Sequence, residues 1–366
     1  MLAGCASTHT ASQTSTDEAV VPLGPTGAPL GSLRGSRIAV DTDGGRMPLL
    51  LIAGSLTDED LALLAQTAPN VEIVQPATRE EALALAPRAH GMDARFSTPE
   101  LYAAAPQLSW VQSPSAGVDH YLGIEGLREN DAIVMTNMQG VHGRTIAEHA
   151  FAMLLALTRD LPYYVDPAQQ GTWNREGSGA NRIALHGKTL LVVGLGGIGR
   201  EVAQIGKGFG MRVLATRRSR AEPPAYVDWQ GTADDLPAML PEADVVVLSV
   251  PLTDETRGMI NADTIDLMKD GAYLVNVARG RVVETDALVD ALERGKLAGA
   301  CLDVTDPEPL PSDHVLWSMD GVVITPHVSS RSALTVEHWK QLYLENIRRF
   351  GAGEPLLNVV DKRAGY

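Results

Sequence analysis

Three residues late in the chain have types suited to moving a proton and holding an anion: Arg279 in NVARG, Glu308 in DPEPLP and His327 in ITPH. They stand 29 and 19 residues apart, each at or just beyond an apolar run. An imidazole exchanges a proton near neutral pH, and a carboxylate beside it orients the ring and supports the imidazolium. A guanidinium grips a carboxylate through parallel N–H donors and polarises a neighbouring carbonyl. Singly, each residue has a plainer reading: His327 as a turn residue after Pro326, Glu308 as a solvated loop acid, Arg279 as a strand-end cap. Taken together they are candidates for proton transfer and anion binding, and the residues alone leave the reaction open.

A second constellation lies upstream, in LLVVGLGGIGREVA. Gly194, Gly196 and Gly199 fit G-x-G-x-x-G, and Gly197 and Ile198 between them are candidate cofactor contacts as well. The first glycine permits a tight turn, the second lets backbone approach a pyrophosphate, and the third lets the helix pack on the strand. The helix N-terminus adds free N–H groups and a positive dipole end. A glycine-rich turn alone is a weak signal, but here strand, helix and second strand follow in the required order, so dinucleotide binding is expected. The second strand leads into VLATRRSR, where an acid that would hold the adenosine ribose is normally found. Arg217 stands 18 residues beyond Gly199 in its place. An acid there would repel a 2′-phosphate, whereas Arg217 and Arg218 pair with one, and Thr216 adds a hydroxyl. The expected cofactor is therefore NADP(H), with NAD(H) as a secondary partner. In VVVLSVPLTDETRGMI, Pro251 and Thr256 bracket the turn that would flank the dinucleotide.

The elements that must position these residues alternate strand and helix. Leu49–Ala53 reads as a strand, 58–66 as a helix, 71–74 as a strand and 79–86 as a helix. A strand at 108–112 breaks into SPSAGVDHYL, a turn-rich loop opening on a helix. A long helix is expected over Thr145–Thr158, and 162–181 lacks apolar periodicity and reads as an arm. The second α/β series begins with the buried strand 190–193. This pattern specifies an α/β fold.

Size and composition narrow the classes further. A chain of 366 residues with 45% hydrophobic content buries a large core and suits two domains. A net charge of −15 with no long basic face argues against nucleic acid as a partner. Cys5 and Cys301 are too far apart for a zinc site or disulfide framework, and no metal is expected; Cys301, in LAGACLDV, reads as core. Residues 1–36 are rich in Ser, Thr, Gly and Pro and read as a disordered leader. Within it Leu2-Ala3-Gly4-Cys5 resembles a lipobox. A start upstream would make Cys5 a lipid anchor; otherwise the expectation is a cytoplasmic protein that meets no membrane.

The motifs VGLGGIGREVA, PLTDET, NVARG, GACLDVTDPEPLP and TPH, with SPSAGVDH and IAEHAFAMLLALTRDLP upstream, occur in order over nearly everything from Leu49 onward. In this the chain resembles the D-2-hydroxyacid dehydrogenase family, in its NADP-type glyoxylate/hydroxypyruvate reductase form. The resemblance implies two Rossmann-like domains with doubly wound parallel sheets, the cofactor domain (140–328) inserted into a substrate domain (37–139 and 329–366). It implies a homodimer with the 162–181 segment as intersubunit arm. It implies His327 as acid/base catalyst, Glu308 as its partner and Arg279 as substrate anchor. Ala278 falls in the cofactor-binding NVARG motif, and Asp303 matches a position near the nicotinamide carboxamide. Backbone N–H groups around Ser115, Ala116 and Gly117 would hold the substrate carboxylate from the other domain, while Asp119, His120, Glu148 and His149 fall in motifs as supporting residues. The reaction implied is hydride transfer to a small 2-oxo acid, yielding a D-2-hydroxy acid.

Two relatives of that fold offer other readings. Formate dehydrogenases resemble this chain less, carrying glutamine where it has Glu308. The C-terminal-binding corepressors keep the Arg, Glu and His set on a dinucleotide-sensing scaffold. Against that role stand the arginine-bearing turn and the lack of a recognisable peptide-binding appendage. Substrate identity stays open among glyoxylate, hydroxypyruvate and other small or aromatic 2-oxo acids. Arg95, with Phe96, is a candidate for the cleft, and Trp173 and Trp339 read as packing residues.

Overall fold

The computed structural model describes residues 48–175, 183–220 and 222–366. The predicted leader, with Cys5, lies outside them. The described residues build two parallel sheets. The first contains β1 (Leu49–Ile52), β2 (Val71–Val74), β3 (Ala89–Asp93), β4 (Trp110–Gln112) and β5 (Val134–Thr136), in the order β2-β1-β3-β4-β5. The second contains β6 (Thr189–Val193), β7 (Arg212–Thr216), β8 (Trp229–Gly231), β9 (Val245–Leu248), β10 (Ala272–Asn276), β11 (Leu297–Leu302) and β12 (Val322–Ile324). Its order is β12-β11-β10-β9-β6-β7-β8. Both orders are doubly wound, and the larger sheet reverses direction between β6 and β9, where a dinucleotide fold places its crevice.

The strand sequences explain why both faces are covered. TLLVV, VVVL and AYLVN are apolar but for a terminal Thr189 and Asn276, which suits strands buried on both sides rather than half-exposed ones. Alternate side chains then feed opposite layers. Leu191, Val193, Val246, Leu248 and Leu274 face one core, and Leu190, Val192, Val245, Val247, Val275 and Cys301 face the other. Burial pushes the Cys301 thiol far above its ordinary value, as suits the core role expected for it.

The chain passes from the first sheet to the second and back. The helix Gly143–Thr158 comes just after β5 yet packs Ile146, Ala150, Phe151 and Leu154 on the second sheet. The helix Ala333–Ala352 comes just after β12 yet packs Leu342, Tyr343, Ile347 and Phe350 against Leu51 and Trp110 of the first. Ser332 caps that helix through Thr335 N–H, and Gly353 ends it at φ 65°, the left-handed conformation glycine adopts without strain. Thr145 Oγ1 lies 2.8 Å from Ser332 Oγ and so ties the two crossings together.

Most predicted elements agree with the observed ones within two residues. The arm differs, because Leu161–Gln169 is a helix with no buried residue, despite weak periodicity. Trp173 differs too: it is 86% exposed, where the sequence suggested packing. Trp339 does pack, its ring against Tyr343 and its indole N–H on Pro114 O at 3.1 Å.

Candidate active site

His327, Glu308 and Arg279 meet because each follows the carboxyl end of a strand, and the three strands are neighbours: β10, β11 and β12. His327 Nδ1 lies 2.7 Å from Glu308 Oε1, with both side chains about half exposed. That contact leaves Nε2 as the nitrogen available to a substrate. His327 sits at φ 53°, an uncommon conformation for a non-glycine residue. The turn is held by Asp303, whose buried carboxylate accepts from Thr325 Oγ1 (2.7 Å), Val328 N–H (2.9 Å) and Ser329 N–H (3.0 Å). The Asp303 carbonyl takes His327 N–H at 2.8 Å, and His149 Nε2 lies 2.9 Å from Thr325 Oγ1. For Asp303 both a place near the nicotinamide and a buried structural role were open; its carboxylate, at 1% exposure, is taken up by the turn that presents His327.

Arg279 faces the other domain. Its Nε donates to Asp119 Oδ1 at 3.1 Å and its Nη1 to Ala278 O at 2.8 Å. A Cβ on Gly117 would lie 1.6 Å from Arg279 Nη2, so glycine is what lets the guanidinium rest on the SPSAG loop. The NVARG turn also abuts the Glu308 segment, since a Cβ on Gly280 would lie 1.9 Å from Thr305 O. Of the loop N–H groups expected to hold a carboxylate, Ser115's is already spent on Ser113 Oγ at 3.1 Å. Those of Ala116 and Gly117 meet no acceptor among the described residues. Beside this pair, burial holds the His120 imidazole below its ordinary value, Asp119 opposing and Arg279 adding to the effect. Glu148 turns outward to Arg144. Arg95 stands at the carboxyl end of β3, bound to the buried Asp93 through Nε (3.0 Å) and Nη2 (2.8 Å). Gly54 makes room for it, since a Cβ there would lie 1.7 Å from Arg95 Nη2.

The glycine turn matches the requirements of a dinucleotide. Gly194 adopts φ 101°, closing the turn after β6. A Cβ on Gly199 would meet Gly194 O at 2.0 Å, so only glycine lets the helix Gly197–Gly208 approach so closely. A Cβ on Gly196 would meet nothing within 4 Å, leaving open space over a helix start that no side chain caps. Ile198 is partly buried against the core beneath. These features fit a pyrophosphate, which would take the free N–H groups of the helix. Arg217 follows the last residue of β7, its N–H on Gly231 O, and Arg218 is exposed. Three expected contacts turn inward. Thr216 is buried, with its hydroxyl accepting from Gly194 N–H at 3.3 Å. Thr256 donates to Pro251 O at 2.6 Å and accepts from Thr253 N–H at 2.8 Å, so it builds the PLTDET turn, leaving Pro251 exposed. Ala278 is buried, its N–H on Asn276 Oδ1.

Comparison with known proteins decides the family. Residues 151–329 match the model of the D-isomer specific 2-hydroxyacid dehydrogenase NAD-binding domain. A glyoxylate reductase of Pyrococcus furiosus is 39% identical over 271 residues, covering 72% of this chain and 79% of that protein. The chain belongs to the D-isomer-specific 2-hydroxyacid dehydrogenases. Among solved structures, a family member from Aeromonas salmonicida superposes with a TM-score of 0.74 at 35% identity, covering 87% of this chain and all of that one. The NADPH-dependent glyoxylate/hydroxypyruvate reductase of Sinorhizobium meliloti, in complex with NADP and sulfate, does so at 0.71 and 28% identity, covering 88% and 100%. This D-2-hydroxyacid dehydrogenase is accordingly a nicotinamide-dependent oxidoreductase acting between 2-oxo and 2-hydroxy acids.

Several residues that shape the dehydrogenase site escaped sequence reasoning. Asn276, 1% exposed, donates to Arg279 O at 3.0 Å and accepts from Ala278 N–H, which fixes the turn that aims Arg279. Asn137 donates to Ala116 O at 2.8 Å and so shapes the SPSAG loop. Asn276 and Thr325 open the NVARG and TPH motifs, and Asn276 also ends an otherwise apolar strand, but neither motif said what its first side chain holds. Asn137 carried no signal.

Proposed function

We propose that this dehydrogenase is an NADPH-preferring reductase of small 2-oxo acids of the glyoxylate and hydroxypyruvate class. The observation that carries the cofactor preference is Arg217, immediately after β7, where an acid would select NAD(H). The glyoxylate reductase of Pyrococcus furiosus and the NADPH-dependent reductase of Sinorhizobium meliloti support the substrate class by likeness. When bound, the nicotinamide supplies the hydride that reaches the carbonyl carbon. Arg279, with the N–H groups of Ala116 and Gly117, holds the substrate carboxylate between the domains and orients the carbonyl. His327 Nε2 gives its proton to the carbonyl oxygen as that oxygen gains charge, and Glu308 at Nδ1 stabilises the imidazolium beforehand. The Arg279–Asp119 contact joins the two domains at the reacting centre. Arg95, at the rim of the first sheet, is read as a further substrate contact.

The domain division read here is 37–139 with 329–366 for substrate and 140–328 for cofactor, in keeping with the two crossings near Gly143 and Ser332. A homodimer is the assembly inferred, with Leu161, Tyr163, Val165 and Trp173, all over 40% exposed, as an apolar arm awaiting a second copy. A nicotinamide reductase draws on the cytoplasmic pool, and the cytoplasm is the compartment proposed. Among the described residues no helix is long and apolar enough to cross a membrane.

The test is steady-state oxidation of NADPH and NADH side by side with glyoxylate, hydroxypyruvate and phenylpyruvate. Turnover is expected with NADPH above NADH and with the two small acids above the aromatic one. Tight binding of NADPH with no turnover of any 2-oxo acid would overturn the reductase reading in favour of a dinucleotide-sensing scaffold.

A further inference from the structure

The segment 359–366 belongs to the first sheet but ends against the second domain. Val359 bridges Thr136 at the end of β5, and Val360 N–H donates to Met135 O at 2.8 Å. The Lys362 ammonium donates to the carbonyls of Leu127, Asn130 and Ile133 at 3.1, 2.5 and 2.9 Å. A compact turn follows: Asp361 Oδ1 accepts from Arg363 and Ala364 N–H, and Gly365, at φ 86°, returns its N–H to Asp361 O. This turn is therefore fastened to the substrate domain at several points. Its last side chain, Tyr366, reaches Arg218 in the loop after β7. The Arg218 guanidinium carbon lies 4.9 Å from the Tyr366 ring centroid, and Arg218 Nη1 donates to the phenol oxygen. A Cβ on Gly365 would also lie 3.9 Å from Thr253 Cγ2, which places the turn beside PLTDET as well.

An exposed arginine loses rotamer freedom when it closes on a phosphate, and a ring that holds it beforehand lowers that cost. A tyrosine does this while leaving most of the five guanidinium N–H donors unused. We propose that Tyr366 is a selectivity-determining residue that positions Arg218 for the 2′-phosphate, so that the substrate domain completes the NADPH site across the domain junction. The inference rests on the NADPH reading of the arginine turn.

Its test is titration of NADPH and of NADH into the full chain and into Tyr366→Ala, Tyr366→Phe, Arg218→Ala and the Arg218→Ala/Tyr366→Ala double variant. Tyr366→Ala should weaken NADPH about three- to tenfold, the size of an exposed cation–π contact with its hydrogen bond, and leave the NADH constant in place. Tyr366→Phe, which keeps the ring, should recover most of the loss. In the Arg218→Ala background the tyrosine change should add nothing, because its effect runs through the guanidinium. An unchanged NADPH constant, equal weakening of both cofactors, or tighter NADPH binding from release of a competing phenol would each overturn the proposal. The underlying reading fails separately: then the unaltered chain binds both cofactors alike and Arg218→Ala leaves their ratio unmoved. If Arg218→Ala lowers the ratio and Tyr366→Ala does not, the tyrosine's role alone falls.

Discussion

At the catalytic end of the cleft, the turn bearing His327 is held by a buried carboxylate, a backbone carbonyl and a threonine hydroxyl, and its ring rests on Glu308. At the adenosine end, Arg217 and Arg218 stand on a loop after β7, with Arg218 exposed and met by one side chain from the other domain. Chemistry that tolerates small displacements poorly is thus mounted on adjacent strand ends and buried acceptors. On the proposed NADPH reading, recognition of the 2′-phosphate falls to long side chains in water, where affinity would come from charge-assisted hydrogen bonds formed on binding. On that reading the first end should be costly to alter, and the second should exchange one cofactor for another by a few substitutions.

The sharpest way to break this contrast is His327→Ala. Loss of the proton donor should lower kcat by about 10²- to 10⁴-fold while NADPH affinity stays in place, as read by turnover and by fluorescence titration. If cofactor affinity collapses as well, His327 serves structure rather than proton transfer. At the other end, Arg217→Asp replaces the proposed phosphate partner with a repelling charge. The NADPH-to-NADH ratio of kcat/KM should fall by roughly 10- to 100-fold, the range of one or two charge-assisted hydrogen bonds. An unmoved ratio would remove the arginine turn from cofactor choice.

Asp303→Asn sharpens the comparison, because Asn keeps the shape but offers one acceptor oxygen for three donors. It should cost about 1–3 kcal/mol of stability and lower kcat by roughly tenfold, with KM for NADPH little changed. A KM effect larger than the kcat effect, at unchanged melting temperature, would return Asp303 to a direct cofactor role.

The smallest effect is acid sensitivity. Burial holds the imidazoles of His90, His120 and His142 below the ordinary value of 6.5. The folded protein keeps them neutral where the unfolded chain takes up protons, so stability is full above that value and declines as pH falls through it. The melting temperature should be level between pH 8 and 7 and drop between pH 6.5 and 5. His90→Gln, which retains an acceptor for Leu50 N–H, should flatten part of the drop; His90 Nδ1 takes that donor at 3.1 Å. A flat profile to pH 5 would contradict the burial argument.

Much of this enzyme was legible as sequence because its signals are local. Apolar runs such as TLLVV specify strands covered on both faces, and the spacing of Gly194, Gly196 and Gly199 follows from one turn and one helix start. The pairing of His327 with Glu308 was legible too, through order and family pattern. The direction of side chains was less so. Thr216 and Thr256 were taken for cofactor contacts, yet each turns its hydroxyl to its own backbone neighbourhood, as short hydroxyl side chains at turns commonly do.

By itself, then, the sequence determined the two α/β series, the glycine turn and the anomaly at Arg217, because each depends on residues near one another in the chain or on periodicities of two and 3.6, and it marked the candidate acid–base pair through the order of the family's motifs. Tertiary structure alone decided that Asp303 serves the His327 turn, that Gly117 makes room for Arg279, and that Tyr366 meets Arg218. Those contacts join positions 25 to 162 residues apart, across strand ends and between domains. Their partners are selected by where two sheets come to rest, a global outcome of packing that no local pattern encodes.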